Sequence, residues 1–215
     1  MIRLFLVRHG ITEWNHNGVY QGQLDVPLSP KGKLQITALR ERLREEQFTV
    51  CYTSALSRAK ESARIILEQH FCPTHETPDL NEMSYGRWEG LNRTQIMEQF
   101  PDSWAHFIAD PTRNAAPGGE TRRDLQRRVE RVLDDINREY QEQDATILLV
   151  AHGGSLRAIV ASFLNLGPSD VWKLRLDNAS LTVIEVYEDG GVLSLFNDTA
   201  HLSLRKLPPD RQPPH

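Results

Sequence analysis

Two short apolar runs, residues 2–7 and 146–151, lead into His-Gly dipeptides, and no other feature of the chain constrains its fold as strongly. Both runs are rich in Ile, Leu and Val and are bounded by polar residues or glycine, the pattern of strands buried on both faces in the middle of a sheet. Elsewhere the apolar residues switch to helical spacing: Ile36, Leu39 and Leu43; Ala59, Ala63 and Ile66; Leu125, Val129, Val132 and Ile136; and Leu156, Ile159, Val160, Phe163 and Leu164. Helices between consecutive strands predict mostly parallel pairing covered on both faces, an α/β three-layer sandwich. Residues 180–187 and 192–196 flank Asp189-Gly190-Gly191 as a hairpin would, which predicts an antiparallel edge.

A chain of 215 residues, 39% hydrophobic and 25% charged, fits a single globular domain, expected over 1–207. Within it, 85–120 holds Trp88, Trp104, Phe107, three prolines and Pro117-Gly118-Gly119, with little periodicity beyond a short helix at 94–99. It reads as a small helical cap inserted over the sheet. Residues 208–215 are polar and proline-rich, as a disordered tail is. A net charge of -4 and a pI near 6.1 argue against nucleic-acid or membrane-surface partners, so any anion site must be local. Cys51 and Cys72 lack the CxxC spacing of zinc or redox sites. With no signal-peptide pattern and no stretch long enough to span a bilayer, the chain is expected in the cytoplasm, with homodimer formation left open.

Ligands of open α/β sheets bind where parallel strands end and loops lead into helices. Arg8-His9-Gly10 and His152-Gly153-Gly154 both fall there, each with a glycine that lets backbone approach closely. Arg58 follows the apolar run Val50-Cys51-Tyr52 at another strand-to-helix junction. Two arginines facing two histidines suit a phosphoryl group, because guanidinium binds its oxygens bidentately and stays charged. A neutral imidazole held at one nitrogen by an acceptor is a competent nucleophile.

The stretch Leu6-Val7-Arg8-His9-Gly10-Ile11-Thr12-Glu13-Trp14-Asn15 resembles the histidine phosphatase superfamily, with its phosphoglycerate-mutase-like fold. The match continues through Gln21-Gly22, Leu28-Ser29-Pro30-Lys31-Gly32, residues 54–59, Leu80-Asn81-Glu82, Trp88-Glu89-Gly90, Pro117-Gly118-Gly119-Glu120 and residues 150–157, nearly the whole chain. The resemblance implies His9 as nucleophile, with Arg8, Arg58 and His152 as a catalytic phosphate pocket. It further implies Asn15, Gln21, Gly22 and Gly153 as phosphate or substrate contacts, and Glu82 as proton donor. Burial near the phosphate is expected to favour the protonated form of Glu82. Cofactors are expected to be none and metal none, since the arginines already neutralise the phosphoryl oxygens. The implied reaction is hydrolysis of a small phosphorylated metabolite through phosphohistidine. Typical mutases of the family carry Asn where Gly154 stands, so the pattern is more similar to the phosphatases, including the alpha-ribazole phosphatases. Ile11 departs from the commoner Glu or Gln but removes no catalytic group.

Alternatives stand beside this reading: a bisphosphoglycerate-dependent phosphoglycerate mutase, an idle phosphate-binding module, and a metal-dependent hydrolase using His9, His152 and His201. A mutase needs an extended closing segment and extra basic residues, and here the cap is short. His16, His70, His75, His106 and His215 are read as structural hydrogen bonders, and His201 as packing. Arg64 and Arg157 are read as helix-surface or salt-bridge residues, and the arginines from Arg122 to Arg128 as a solvent face. Trp88 and Trp104 could serve core, cap or substrate.

Overall fold

The computed structural model describes residues 1–204, so the tail expected at 208–215 lies outside the described residues. Six strands form one sheet in the order β3-β2-β4-β1-β5-β6. They are β1 (Ile2–Arg8), β2 (Val50–Ser54), β3 (Thr74–Thr77), β4 (Ala145–Ala151), β5 (Leu181–Tyr187) and β6 (Gly190–Asp198). β1 pairs parallel with β4, and β2 pairs parallel with both β4 and β3. β5 runs antiparallel to β1 and to β6, giving the mixed edge that the hairpin pattern predicts. The reversal itself is tighter than predicted: Gly190 and Gly191 already belong to β6, and only Glu188 and Asp189 separate the strands.

Eight helices accompany the sheet among the described residues: α1 (Glu13–His16), α2 (Pro30–Leu43), α3 (Ser57–Leu67), α4 (Arg93–Gln99), α5 (Pro101–Ala109), α6 (Arg122–Tyr140), α7 (Gly153–Phe163) and α8 (Ala200–Leu204). Alternation along the central strands sorts the core into two layers. Leu4, Leu6, Ile147 and Leu149 face α6 and α7, whereas Phe5, Val7, Leu148 and Val150 face α2, α3 and α8. Burial on both faces explains why β1 and β4 read as unbroken apolar runs.

The segment 85–120 contains α4 and also α5, which periodicity alone did not reveal. Asn92 and Gln95 cap α4 reciprocally, and Pro101 opens α5 where its missing N–H costs nothing. Trp88 is fully buried, with ring centroids 5.6 Å from Trp104 and 5.1 Å from Phe107, so both tryptophans belong to the core beneath this segment.

The loop leaving β1 is pressed against the first turn of α2. A Cβ on Gly10 would stand 2.5 Å from the Gly32 carbonyl oxygen, and one on Gly32 would stand 2.1 Å from the Ile11 carbonyl oxygen. Backbone cannot yield to such contacts as a side chain would. Gly32→Ala is expected to cost about 1–3 kcal/mol, the range for overpacking a closed contact. For a chain of this size that is roughly 2–12 °C in Tm by thermal melting, and an unchanged Tm would refute the close-packing account.

Candidate active site

The parallel register Ile2↔Ala145 through Arg8↔Ala151 ends β1 and β4 level with one another. The His9 N–H donates to the Ala151 carbonyl at 3.0 Å, and the His9 and His152 rings come to rest with centroids 5.0 Å apart. Both lie at the carboxyl ends of their strands, next to a cleft of about 290 Å³. His9 Nδ1 lies 2.7 Å from the Gly10 carbonyl oxygen. A carbonyl only accepts, so Nδ1 carries the proton and Nε2 keeps its lone pair. Burial first, then the charges of Arg58 and Arg8, hold the His9 imidazolium pKa well below the usual histidine value, so the ring is neutral.

Arg8, His9, Asn15, Gln21, Gly22, Arg58, Glu82 and Gly153 all line the cleft. Arg8 Nη1 donates to the Leu176 carbonyl at 2.6 Å, while its buried Nε has no hydrogen-bond partner. Burial, then Arg157, pushes the Arg8 guanidinium down to about 10, still charged at neutral pH. Arg58 donates from Nη1 to the Leu24 carbonyl and from Nη2 to the Gly22 carbonyl, using part of its donor fork. Asn15 Oδ1 accepts from Thr12 N, Thr12 Oγ1 and Asn178 Nδ2, which assigns the amide orientation and leaves the NH₂ as the group available to a ligand. Gln21 Oε1 is buried without a partner. Unpaired polar atoms converging on one cleft are what a polar ligand would satisfy.

His152 differs from expectation. It is fully buried, and both ring nitrogens are engaged within the protein. Arg58 Nε donates to His152 Nδ1 at 3.2 Å, so Nε2 bears the proton and donates to Ser54 Oγ at 2.7 Å; Ser54 in turn donates to Asn81 Oδ1 at 2.8 Å. Burial, then Arg58, keeps the His152 ring neutral as well. The chain fixes the tautomer and aims Arg58.

Glu82 is half-buried rather than enclosed. Its Oε1 accepts from Met83 N at 2.9 Å and from Gly154 N, at the start of α7, at 3.0 Å. A Cβ at position 154 would stand 2.2 Å from that oxygen, so glycine there is a condition of this placement. The loop carrying Glu82 is tied down by Arg128, which donates to the carbonyls of Asp79, Asn81 and Glu82 and pairs with Glu120 at 2.9 Å. Arg128 is therefore buried, against the solvent-face reading of its helix, whereas Arg123 and Arg127 are exposed as expected.

Sequence reasoning also missed Arg157, Trp172 and Asn178. Arg157 lines the cleft rather than a helix surface, and Trp172 stands half-exposed on its rim. Asn178 Nδ2 donates to the His9 carbonyl at 3.1 Å. His201 is buried outside the cleft against the Ala179 carbonyl, 3.0 Å away, as a packing residue. Among the described residues no group of three or more His, Cys, Asp and Glu could hold a metal ion, and no helix is long and apolar enough to cross a membrane.

An α/β sheet with neutral histidines at two parallel strand ends, fronted by guanidinium groups over an open cleft, is an arrangement suited to a phosphate group. The family model described as "Histidine phosphatase superfamily (branch 1)" matches residues 4–199, and the chain belongs to that superfamily and is a phosphatase. Phosphoserine phosphatase 1 of Hydrogenobacter thermophilus is 33% identical over 202 residues, covering 94% of this chain and 95% of that one. The adenosylcobalamin/alpha-ribazole phosphatase of Salmonella typhimurium is 34% identical over 200 residues, covering 93% and 98%. Among solved structures, a putative alpha-ribazole-5'-P phosphatase from Escherichia coli superposes with a TM-score of 0.87 at 29% identity, covering 93% and 97%.

Three buried histidines also make stability depend on pH. His9 and His152 are held well below 6.5, and burial pushes His201 down to about 4. In the unfolded chain all three take up protons as pH falls through about 6.5, while the folded chain resists. Stability is therefore fully present above that value and is lost as pH falls toward about 4. At pH 5.5 each histidine is expected to contribute a loss on the order of 1 kcal/mol relative to pH 7.5. Urea midpoints at the two pH values measure this, and equal midpoints would mean these rings are protonated in the fold.

Proposed function

We propose that this phosphatase hydrolyses a small phosphorylated metabolite through a covalent phosphohistidine on His9, without a metal ion. The observation that carries the reading is the 2.7 Å contact of His9 Nδ1 with the Gly10 carbonyl oxygen, which assigns the proton to Nδ1 and leaves the Nε2 lone pair available in a ring kept neutral by its surroundings. In the first half-reaction Nε2 attacks phosphorus in line, forming a P–N bond as the ester P–O bond breaks. Glu82, in its protonated form, gives its proton to the departing oxygen. In the second, Glu82 takes a proton from water as that water's oxygen displaces His9, releasing inorganic phosphate.

Arg8 Nε, the free donors of Arg58 and the Asn15 amide serve the non-bridging oxygens, with the amino end of α7 adding positive potential. Gln21, Gly22 and Gly153 shape the pocket wall. His152 acts through Arg58 as a positioning residue. These fixed guanidinium charges take the part a metal ion plays in other phosphoryl-transfer enzymes. Gly154 supports hydrolysis over the mutase alternative, because Asn at that position could not coexist with Glu82 on the Gly154 amide.

Hydrolysis of p-nitrophenyl phosphate in the presence of EDTA tests the reading. Wild type is expected to turn over, and His9→Ala is expected to lose both turnover and the acid-labile phosphoenzyme. Glu82→Gln is expected to slow an alkyl phosphate by roughly 10²–10⁴-fold, the usual contribution of a general acid, and to slow the nitrophenyl ester least. Retained wild-type rates in both variants, or loss of activity to EDTA, would overturn it. Phosphoglycerate interconversion faster than hydrolysis would instead favour the mutase.

Gly154→Asn is expected to displace the Glu82 carboxylate and reduce alkyl-phosphate hydrolysis by at least about tenfold, a fraction of the general-acid contribution. The steady-state rate on β-glycerophosphate reads this out, and a wild-type rate would separate Glu82 from its contact with the α7 amide.

A further inference from the structure

The peptide unit that joins Gly22 to Gln23 is gripped from both sides. Its carbonyl oxygen accepts from Arg58 Nη2 at 2.7 Å, and its N–H, on Gln23, donates to Glu89 Oε1 at 3.0 Å. A guanidinium and a carboxylate thus face each other through one amide, whose dipole points the way both prefer. The next residues tie the same turn to α3: the Leu24 carbonyl accepts from Arg58 Nη1 at 2.8 Å, and Asp25 Oδ1 accepts from Ser57 N at 2.8 Å.

Glu89 is itself firmly placed. Its Oε1 also accepts from Tyr85 N at 3.0 Å and from Ser84 Oγ at 3.4 Å, in the loop that follows Glu82. Its backbone N–H donates to the Gly86 carbonyl at the end of the 3₁₀ turn Gly86–Trp88, which the buried Trp88 ring roots in the core. Gln23 Nε2 adds a second crossing between the two loops, donating to the Glu82 carbonyl at 3.2 Å.

Gly22 makes the close approach possible. It stands at φ +51°, and a Cβ there would lie 2.0 Å from Glu89 Oε1. Glycine also restrains the peptide that follows it less than any other residue does. Without Glu89 the N–H of that unit loses its acceptor, and the carbonyl is free to turn away from Arg58. Burial lowers the Arg58 pKa, and the charges of Glu82, Asp25 and Glu89 oppose it, so the Glu89 carboxylate is near enough for Arg58 to feel it.

We infer that Glu89 is a positioning residue: through the Gly22–Gln23 peptide it holds the Arg58 guanidinium in the orientation that receives phosphoryl oxygens. The inference rests on the reading of Arg58 as a phosphate ligand given above. Inorganic phosphate is the probe, its Kd measured by titration calorimetry alongside KM and kcat for p-nitrophenyl phosphate. Glu89→Ala is expected to weaken phosphate binding by at least about tenfold, the lower end of what hydrogen bonds to a charged group supply, and to raise KM more than it lowers kcat. Glu89→Gln keeps an acceptor at the same reach without the charge. It is expected to lose only roughly threefold, since a neutral hydrogen bond is about half as strong as a charge-assisted one. Glu89→Asp keeps the charge one carbon short of the Gln23 N–H and is expected to match Glu89→Ala. A residue that only supports folding would lower the active fraction and leave Kd and KM unchanged.

Arg58→Lys completes the cycle. It removes the guanidinium fork and is expected to weaken phosphate binding by at least about tenfold, and in that background Glu89→Ala is expected to add less than about twofold. Full additivity of the two substitutions, an unchanged Kd in Glu89→Ala, or recovery by Glu89→Asp but not by Glu89→Gln would overturn the positioning role and leave the phosphate reading intact. Phosphate binding unaffected by Arg58→Lys would overturn both. Should Glu89→Ala fail to fold, the order of the Gln and Asp variants against wild type decides the matter.

Discussion

The pairing of β1 with β4 sets almost everything else in the molecule. Seven residues of each strand lie opposite one another, and the last pair, Arg8 opposite Ala151, brings the following histidines side by side. A slip of one residue would turn Leu4 and Leu6 toward α2 and Phe5 and Val7 toward α6, so the two-faced core forbids it. The same register that fills the core with apolar side chains therefore sets the spacing of His9 and His152. Chemistry and stability share one constraint.

Electrostatics explains why the site sits where it does in an acidic protein. Charged surface residues are largely paired, as Arg42 is with Asp198 and Arg131 with Asp79. Inside the cleft the accounting reverses. Arg8 and Arg58 are oriented by backbone carbonyls, which hold a guanidinium without cancelling its charge. Carbonyl contacts at Gly10 and Ala179 similarly engage His9 and His201, while burial keeps those rings uncharged. The result is a local field of fixed positive charge that needs no reorganisation when an anion arrives.

Much of this was legible in the sequence, for identifiable reasons. The strands β1 and β4, the amphipathic helices and the hairpin follow from periodicity, because each must bury a face. His9, His152 and Arg8 stand at strand ends that periodicity locates, and Arg58 in the first turn of the helix after β2. β3 was invisible: Thr74–Thr77 is a polar, mostly exposed edge strand whose place is set by pairing with β2. Arg128 misled because its neighbours on α6 are charged and exposed, and the carbonyls of the 79–82 loop together with Glu120 explain its burial. His152 was placed at the ligand because its motif ends a strand, whereas the contacts of Ser54 and Arg58 that draw it inward span more than ninety residues. Arg157 and Trp172 reach the cleft through the irregular path of 171–178, which no spacing rule describes.

The ties made by Arg128 have a consequence for how such a scaffold can change over generations. Glu82 is anchored from α6 and from the amide of Gly154, while Arg8 and His9 are anchored at the end of β1. The rest of the cleft rim, Trp172 and the path that follows it to Asp177, belongs to neither anchor. Mutation can remodel that rim without disturbing the settings of His9 and Glu82. A lineage built on this plan can acquire new metabolites by drift at the periphery, keeping one inherited engine beneath many preferences.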